Sequence, residues 1–231
     1  MVKALVFDVF GTVVDWRGSI TREVRALSEA NGFKVNAAKF ANLWRAGYAP
    51  AMDRVRNKDL PWMNIDALHR LILDDLLNQF SLSLTEKDTD HLNRAWHRLK
   101  PWPDSVRGLR KLKQQFTIST LSNGNFSLLN NMAKNAGLPW DCIISAELFG
   151  HYKPDPETYL GAANLLGLTP NEVMLCAAHK DDLIAAKNCG LRTAFIKRPR
   201  EFSPNVEIDL SSDERFDHNA ESILDLASQL T

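Results

Sequence analysis

Five short apolar runs limit what this chain can become: KALVFDVF, FTISTLS, DCIISAE, EVMLCAA and RTAFIK, the last four set apart by helical stretches. Runs of this length without polar alternation are buried on both faces, and strands that alternate with helices pair in parallel through crossovers. The pattern predicts an α/β fold, a Rossmann-like parallel sheet with helices on both faces. Helices are expected at Phe126–Ala136, stopped by Gly137, at Pro156–Leu166, at Asp182–Asn188, stopped by Gly190, and near Ala220–Gln229. A basic helix should follow KPWPDSVRGLRKLK, with Asp104 as its cap.

The first run is separated from the others by a stretch of different character. From Asp15 to about Lys100 the strand signals vanish, and helical spacing takes over at Ser19–Asn31, Asn36–Arg56, Asn64–Phe80 and Thr85–Leu99. The expected organisation is a core of residues 1–14 and 100–231, interrupted by a helical cap domain of residues 15–99. Residues 200–217 are polar and read as a surface loop.

Lys plus Arg equals Asp plus Glu at 28 each, so no net field draws in nucleic acid or an acidic membrane. A small neutral or anionic partner fits better. The three cysteines, Cys142, Cys176 and Cys189, are an odd number and widely spaced, which suits reduced packing residues. No stretch approaches about 18 continuous apolar residues, so neither membrane insertion nor export is expected, and the reading is cytoplasmic.

Open α/β sheets place their sites at the carboxyl ends of the strands. Those ends carry Asp8 with Gly11 and Thr12; Ser122, Asn123 and Gly124; Glu147 leading to Lys153; His179 with Asp181 and Asp182; and Lys197 with Arg198. Singly, each could be a helix cap or a turn residue. Their recurrence on one edge of an apolar sheet argues for a site.

With VFDVFGT, TLSNG, YKPDPETY and AAHKDDL in this order, the sequence resembles the haloacid dehalogenase superfamily. The resemblance covers essentially the whole chain and implies Asp8 as nucleophile, Lys153 as the cation beside it and a helical cap. In the superfamily's phosphatases the residue two after the nucleophile is a second Asp, an acid and Mg²⁺ ligand. Here it is Phe10, which can neither donate a proton nor bind a metal. A halide leaves as a stable anion and requires no acid, and an aromatic residue at this position resembles the L-2-haloacid dehalogenases.

That narrower resemblance implies hydrolysis of short (S)-2-haloalkanoates and haloacetates through an Asp8 ester, with inversion at C2 and no metal or other cofactor. Asp8, Thr12, Lys153, His179 and Asp182 form the catalytic set. Phe10, Arg45, Ser122, Asn123 and Tyr159 form the substrate and halide set, with Arg45 and Asn123 on the halide, Ser122 on the carboxylate and Tyr159 as a support. A homodimer is implied as well. The fourth motif departs from the family's Ser-Ser-Asn: Ala177, Ala178 and His179 stand there. Either His179 and backbone groups hold the hydrolytic water, or the substrate range is altered, and Asp181 competes with Asp182 for the acid role. Two other readings remain at this point: an Mg-dependent small-molecule phosphatase of the same superfamily, and a catalytically silent binding protein. The aromatic residues Trp16, Trp44, Tyr48, Trp62, Trp96 and Trp102 lie in or beside the cap, and spacing does not tell core from pocket.

Overall fold

The computed structural model describes residues 1–231, which divide into two compact units, Met1–Asp15 with Lys100–Thr231, and Trp16–Leu99. The chain begins with β1 (Ala4–Phe7), buried at every residue, and a two-residue strand β2 (Val14–Asp15). The second unit then follows as α1 (Trp16–Asn31), α2 (Ala37–Ala46), α3 (Tyr48–Arg56), α4 (Ile65–Gln79) and α5 (Glu86–Asn93). Asn36, Asn64 and Thr85 start three of these helices by accepting the N–H groups of Lys39, Ala67 and Asp88, groups that the first turn leaves without a partner.

Two helices differ from the sequence expectation. The single helix at Asn36–Arg56 is divided at Gly47, where a Cβ would press 2.7 Å from Ile72 of α4. The stretch to Leu99 tightens after Asn93 into a 3₁₀ turn, Arg94–Arg98. Inside this unit Trp16, Trp44 and Trp96 are core residues, and His69 stacks on Trp96 with ring centres 4.1 Å apart. Trp62 is 41% exposed.

The first unit resumes with β3 (Lys100–Pro101), which pairs antiparallel with β2 and joins the points where the chain leaves and returns. It continues as α6 (Ser105–Leu112), β4 (Thr117–Ser122), α7 (Phe126–Ala136), β5 (Cys142–Ser145), α8 (Pro156–Leu165), β6 (Val173–Ala177), α9 (Lys180–Asn188), β7 (Arg192–Ile196), β8 (His218–Ala220) and α10 (Ile223–Leu230). Six strands form one sheet in the order β5-β4-β1-β6-β7-β8, and every pairing is parallel. β1 lies between β4 and β6, so its end opens at the middle of the sheet edge.

The sheet has one strand more than the sequence predicts. β8 ends on Ala220, where the last helix is expected to start, and that helix begins instead at Ile223 after Ser222 accepts the Asp225 N–H. Asp104 likewise makes no side-chain cap on α6. Its carboxylate pairs with Arg198 at 2.8 and 3.0 Å and accepts the Ile223 N–H. No helix is long and apolar enough to cross a membrane.

Candidate active site

β1 ends one residue before Asp8, whose N–H still bonds to the Cys176 carbonyl of β6. The side chain is thereby delivered to the sheet edge, 7% exposed. The turn that follows needs Gly11, at φ +85°, and is held from three sides. Trp102 Nε1 donates to the Gly11 carbonyl, Arg198 Nε to that of Thr12, and Ser105 Oγ to that of Val13. Phe10 is buried, and its ring lies over Gly124, where a Cβ would sit 3.1 Å from it.

Thr12 Oγ1 donates to Asp8 Oδ2 at 2.7 Å and accepts the Ala178 N–H, which fixes the direction of its proton. Lys153 Nζ donates to Asp8 Oδ1 at 3.0 Å and to Asp182 Oδ2 at 2.5 Å. The other Asp182 oxygen takes the Tyr159 hydroxyl at 2.6 Å. One ammonium thus bridges two carboxylates whose mutual repulsion would otherwise exclude both from the interior.

These contacts set the charges. Burial alone would raise the Asp8 carboxyl, but Lys153, His179 and Thr12 outweigh it and hold the group well below the ordinary carboxylate range. Asp182 moves the other way: burial, reinforced by the Asp8 charge, lifts it against the pull of Lys153. Burial would depress Lys153, yet Asp182 and Asp8 raise it, so it stays an ammonium. Asp8 is therefore a permanent carboxylate, and Asp182 a carboxylate with enhanced proton affinity, as a base requires.

His179 immediately precedes α9, with Nδ1 3.3 Å from Asp8 Oδ2 and Nε2 2.9 Å from Glu201 Oε1. Burial favours the neutral ring, but hydrogen bonds to Asp8 and Glu201 and their charges raise its pKa to about 10. Asp181 is exposed on the first turn of α9, whereas Asp182 is the acid at Lys153. The helix also starts earlier than predicted, at Lys180.

The remaining sequence candidates are placed as follows. Asn123 clasps the Lys153 backbone, accepting its N–H at 2.6 Å and donating to its carbonyl at 3.4 Å. Ser122 is fully buried at the end of β4 and accepts the Gly124 N–H. Tyr159, grouped with the substrate set as a support, is fully buried and donates its hydroxyl to Asp182. Arg45 belongs to the helical unit, where its guanidinium lies 4.5 Å from the Tyr48 ring centre and 5.9 Å from that of Trp16. Its Nε is buried without a hydrogen-bond partner.

Sequence reasoning missed Glu201 and the part played by Arg198. Glu201 is 2% exposed although it lies in the polar stretch read as surface loop. The one available signal was its place shortly after β7, beyond a strand end.

The donor set does not suit Mg²⁺. Phe10 stands where the second carboxylate would be needed, and both Asp182 oxygens are occupied by Lys153 and Tyr159.

A family model described as haloacid dehalogenase-like hydrolase matches residues 2–190. The (S)-2-haloacid dehalogenase 4A of Burkholderia cepacia is 30% identical over 203 residues, covering 85% of this chain and 84% of that protein. The crystal structure of an L-2-haloacid dehalogenase is 48% identical with a TM-score of 0.97 and covers 100% of this chain and 99% of that one. A defluorinating L-2-haloacid dehalogenase, also 48% identical with a TM-score of 0.97, covers 99% of this chain and 95% of that one.

Proposed function

The chain belongs to the haloacid dehalogenase-like hydrolases, and from that premise we propose that Asp8 displaces halide from short (S)-2-haloalkanoates and haloacetates to form an ester, with inversion at C2. The enzyme is a hydrolase that cleaves carbon–halide bonds of 2-haloacids, as its relatives' names say of them. The observation that carries the reading is an ionised Asp8 beside Lys153, with a phenyl ring at the position where phosphate-ester cleavage requires an acid.

In the first step an Asp8 oxygen bonds to C2 as the carbon–halogen bond breaks, and the halide leaves with the bonding pair. Asp8 is only 7% exposed, which limits the solvation that would blunt its lone pairs. Arg45 and Asn123 are assigned to the halide on the family resemblance, where each well-placed donor contributes roughly 3 kcal/mol to the transition state. Ser122 is assigned on the same ground to the substrate carboxylate.

In the second step water adds to Asp8 Cγ and gives its proton to Asp182. Collapse breaks the bond from Cγ to the ester oxygen, the proton on Asp182 passes to the departing 2-hydroxy acid, and the second water proton is released to solvent as Asp8 is restored as a carboxylate that carries an oxygen from water. A single turnover in heavy-oxygen water should leave the hydroxy acid unlabelled and put the label in Asp8. Label in the first-turnover product would sink the ester.

Halide release from 2-chloropropionate undiminished by a chelator supports the dehalogenase reading, whereas Mg-dependent release of p-nitrophenol from its phosphate ester would favour the phosphatase. Halide release from fluoro-, chloro- and bromo-acids of both hands tests range and stereochemistry. Cytoplasmic residence and a homodimer belong to the same proposal: three unpaired thiols suit a reducing compartment, and light scattering tests the dimer.

A further inference from the structure

We infer that Glu201 is a positioning residue for hydrolysis of the Asp8 ester: it holds His179 so that Nδ1–H meets Asp8 Oδ2, which makes Oδ2 the ester carbonyl oxygen and Oδ1 the nucleophile. The inference rests on the covalent reading of Asp8 and adds to it the roles of the two carboxylate oxygens.

The two oxygens are not equivalent. Oδ2 takes the Thr12 hydroxyl at 2.7 Å and faces His179 Nδ1 at 3.3 Å, while Oδ1 takes Lys153 alone. Oδ2 thus has the Thr12 hydroxyl and the His179 ring against it, so the less encumbered lone pairs lie on Oδ1. Once Oδ1 has bonded to carbon, Oδ2 is the carbonyl oxygen on which negative charge grows as water adds. Donors already aimed at that atom act without reorganisation.

Nδ1 can donate only if the ring keeps a proton there. Glu201 Oε1 and Oε2 lie 2.9 and 3.1 Å from Nε2. A ring with a carboxylate at each nitrogen is satisfied at both ends only as the imidazolium. The site also reserves space for Glu201: a Cβ on Gly11 would overlap Oε1 and Cδ of its carboxylate. Gly11 therefore serves both the turn after the nucleophile and the approach of a buried carboxylate to it. The charged groups facing the His179 ring are Asp8, from the end of β1, and Glu201, from beyond β7; Lys153 and Asp182 act on Asp8 from its other oxygen.

The test separates the two chemical steps. Rapid-quench single turnover of (S)-2-chloropropionate follows halide and hydroxy acid independently, and intact mass reports the ester. In Glu201→Gln the halide burst should persist within about threefold, while hydroxy-acid release slows by roughly 10- to 100-fold and the ester accumulates. The alkaline limb of that second step should move down by about one unit or more, together with the ring titration of His179 read by NMR. Glu201→Asp should recover part of the loss. Equal slowing of both steps, or an unchanged second step and titration, overturns the inference. If Glu201→Gln does not fold, His179→Asn, which removes the charged donor and leaves Glu201 in place, must give the same accumulation or the inference fails. Wild-type enzyme that forms no ester and labels its first product from water refutes the covalent reading; wild-type enzyme that forms the ester beside a Gln variant that clears it at the normal rate refutes only the role of Glu201.

Discussion

The proposed second step assigns the base to Asp182, and its neighbours tune it in opposite directions. Burial and Asp8 raise its proton affinity, while Lys153 and the Tyr159 hydroxyl lower it. Replacing Asp182 by Asn removes the base and should cut steady-state turnover by about 10² to 10⁴, with the halide burst intact. Tyr159→Phe is subtler. It deletes the hydrogen bond that favours the carboxylate, so Asp182 protonates at higher pH, and the acid limb of kcat should shift upward. The same change should cost about 1 kcal/mol of stability, read from urea denaturation. An acid limb that stays in place would mean that another group governs it.

At the scale of elements, the turn after β1 is held by partners distant in sequence. Arg198 reaches the Thr12 carbonyl across 186 positions and is fixed there by Asp104. With side-chain exposures of 7% and 15%, this pair is largely withdrawn from water. Breaking such a pair from one side leaves a buried charge, so Arg198→Ala should cost about 3–5 kcal/mol. Asp104→Ala with Arg198→Ala should cost less than the sum of the two single changes, since the second removes a charge the first left stranded. Loosening the turn should also lower kcat more than it changes KM, because Thr12 would lose its aim at Asp8. The contrast with Asp8, Lys153 and Asp182 explains what could be read in the sequence. Those residues stand at or shortly after apolar runs, and a strand end advertises its own position. Asp104 and Arg198 were visible only as a cap and a strand end, since nothing local states which side chain a distant carboxylate will meet. β8 escaped for a related reason: His218-Asn219-Ala220 carries no strand signal and is ordered by pairing with β7. Glu201 stands among polar residues, and only the missing Cβ of Gly11 makes room for it.

Over the whole molecule, two histidines give stability opposite dependences on pH. His69, in the helical unit, is pushed down to about 3 by burial, with Arg45 and His97 adding to the effect against Asp66. His179, in the sheet unit, is raised to about 10. Each has an ordinary value of 6.5, taken here for the unfolded chain. Below 6.5 the unfolded chain protonates at His69 while the native ring stays neutral, so the unfolded state binds more protons and stability falls as pH drops toward 3. Above 6.5 the unfolded chain releases the His179 proton while the native ring keeps it, so stability falls as pH rises toward 10. Asp182, raised in the native state, opposes His69 on the acid side, since its native form holds a proton that the unfolded chain gives up. Urea midpoints should therefore peak near pH 6.5 and decline on both sides. The two arms can be separated by mutation: His69→Gln should flatten the acid arm and leave the alkaline one, and His179→Asn should do the reverse. If His179→Asn keeps the full alkaline decline, the imidazolium is not its source, and the charge assigned to the ring beside Asp8 is wrong.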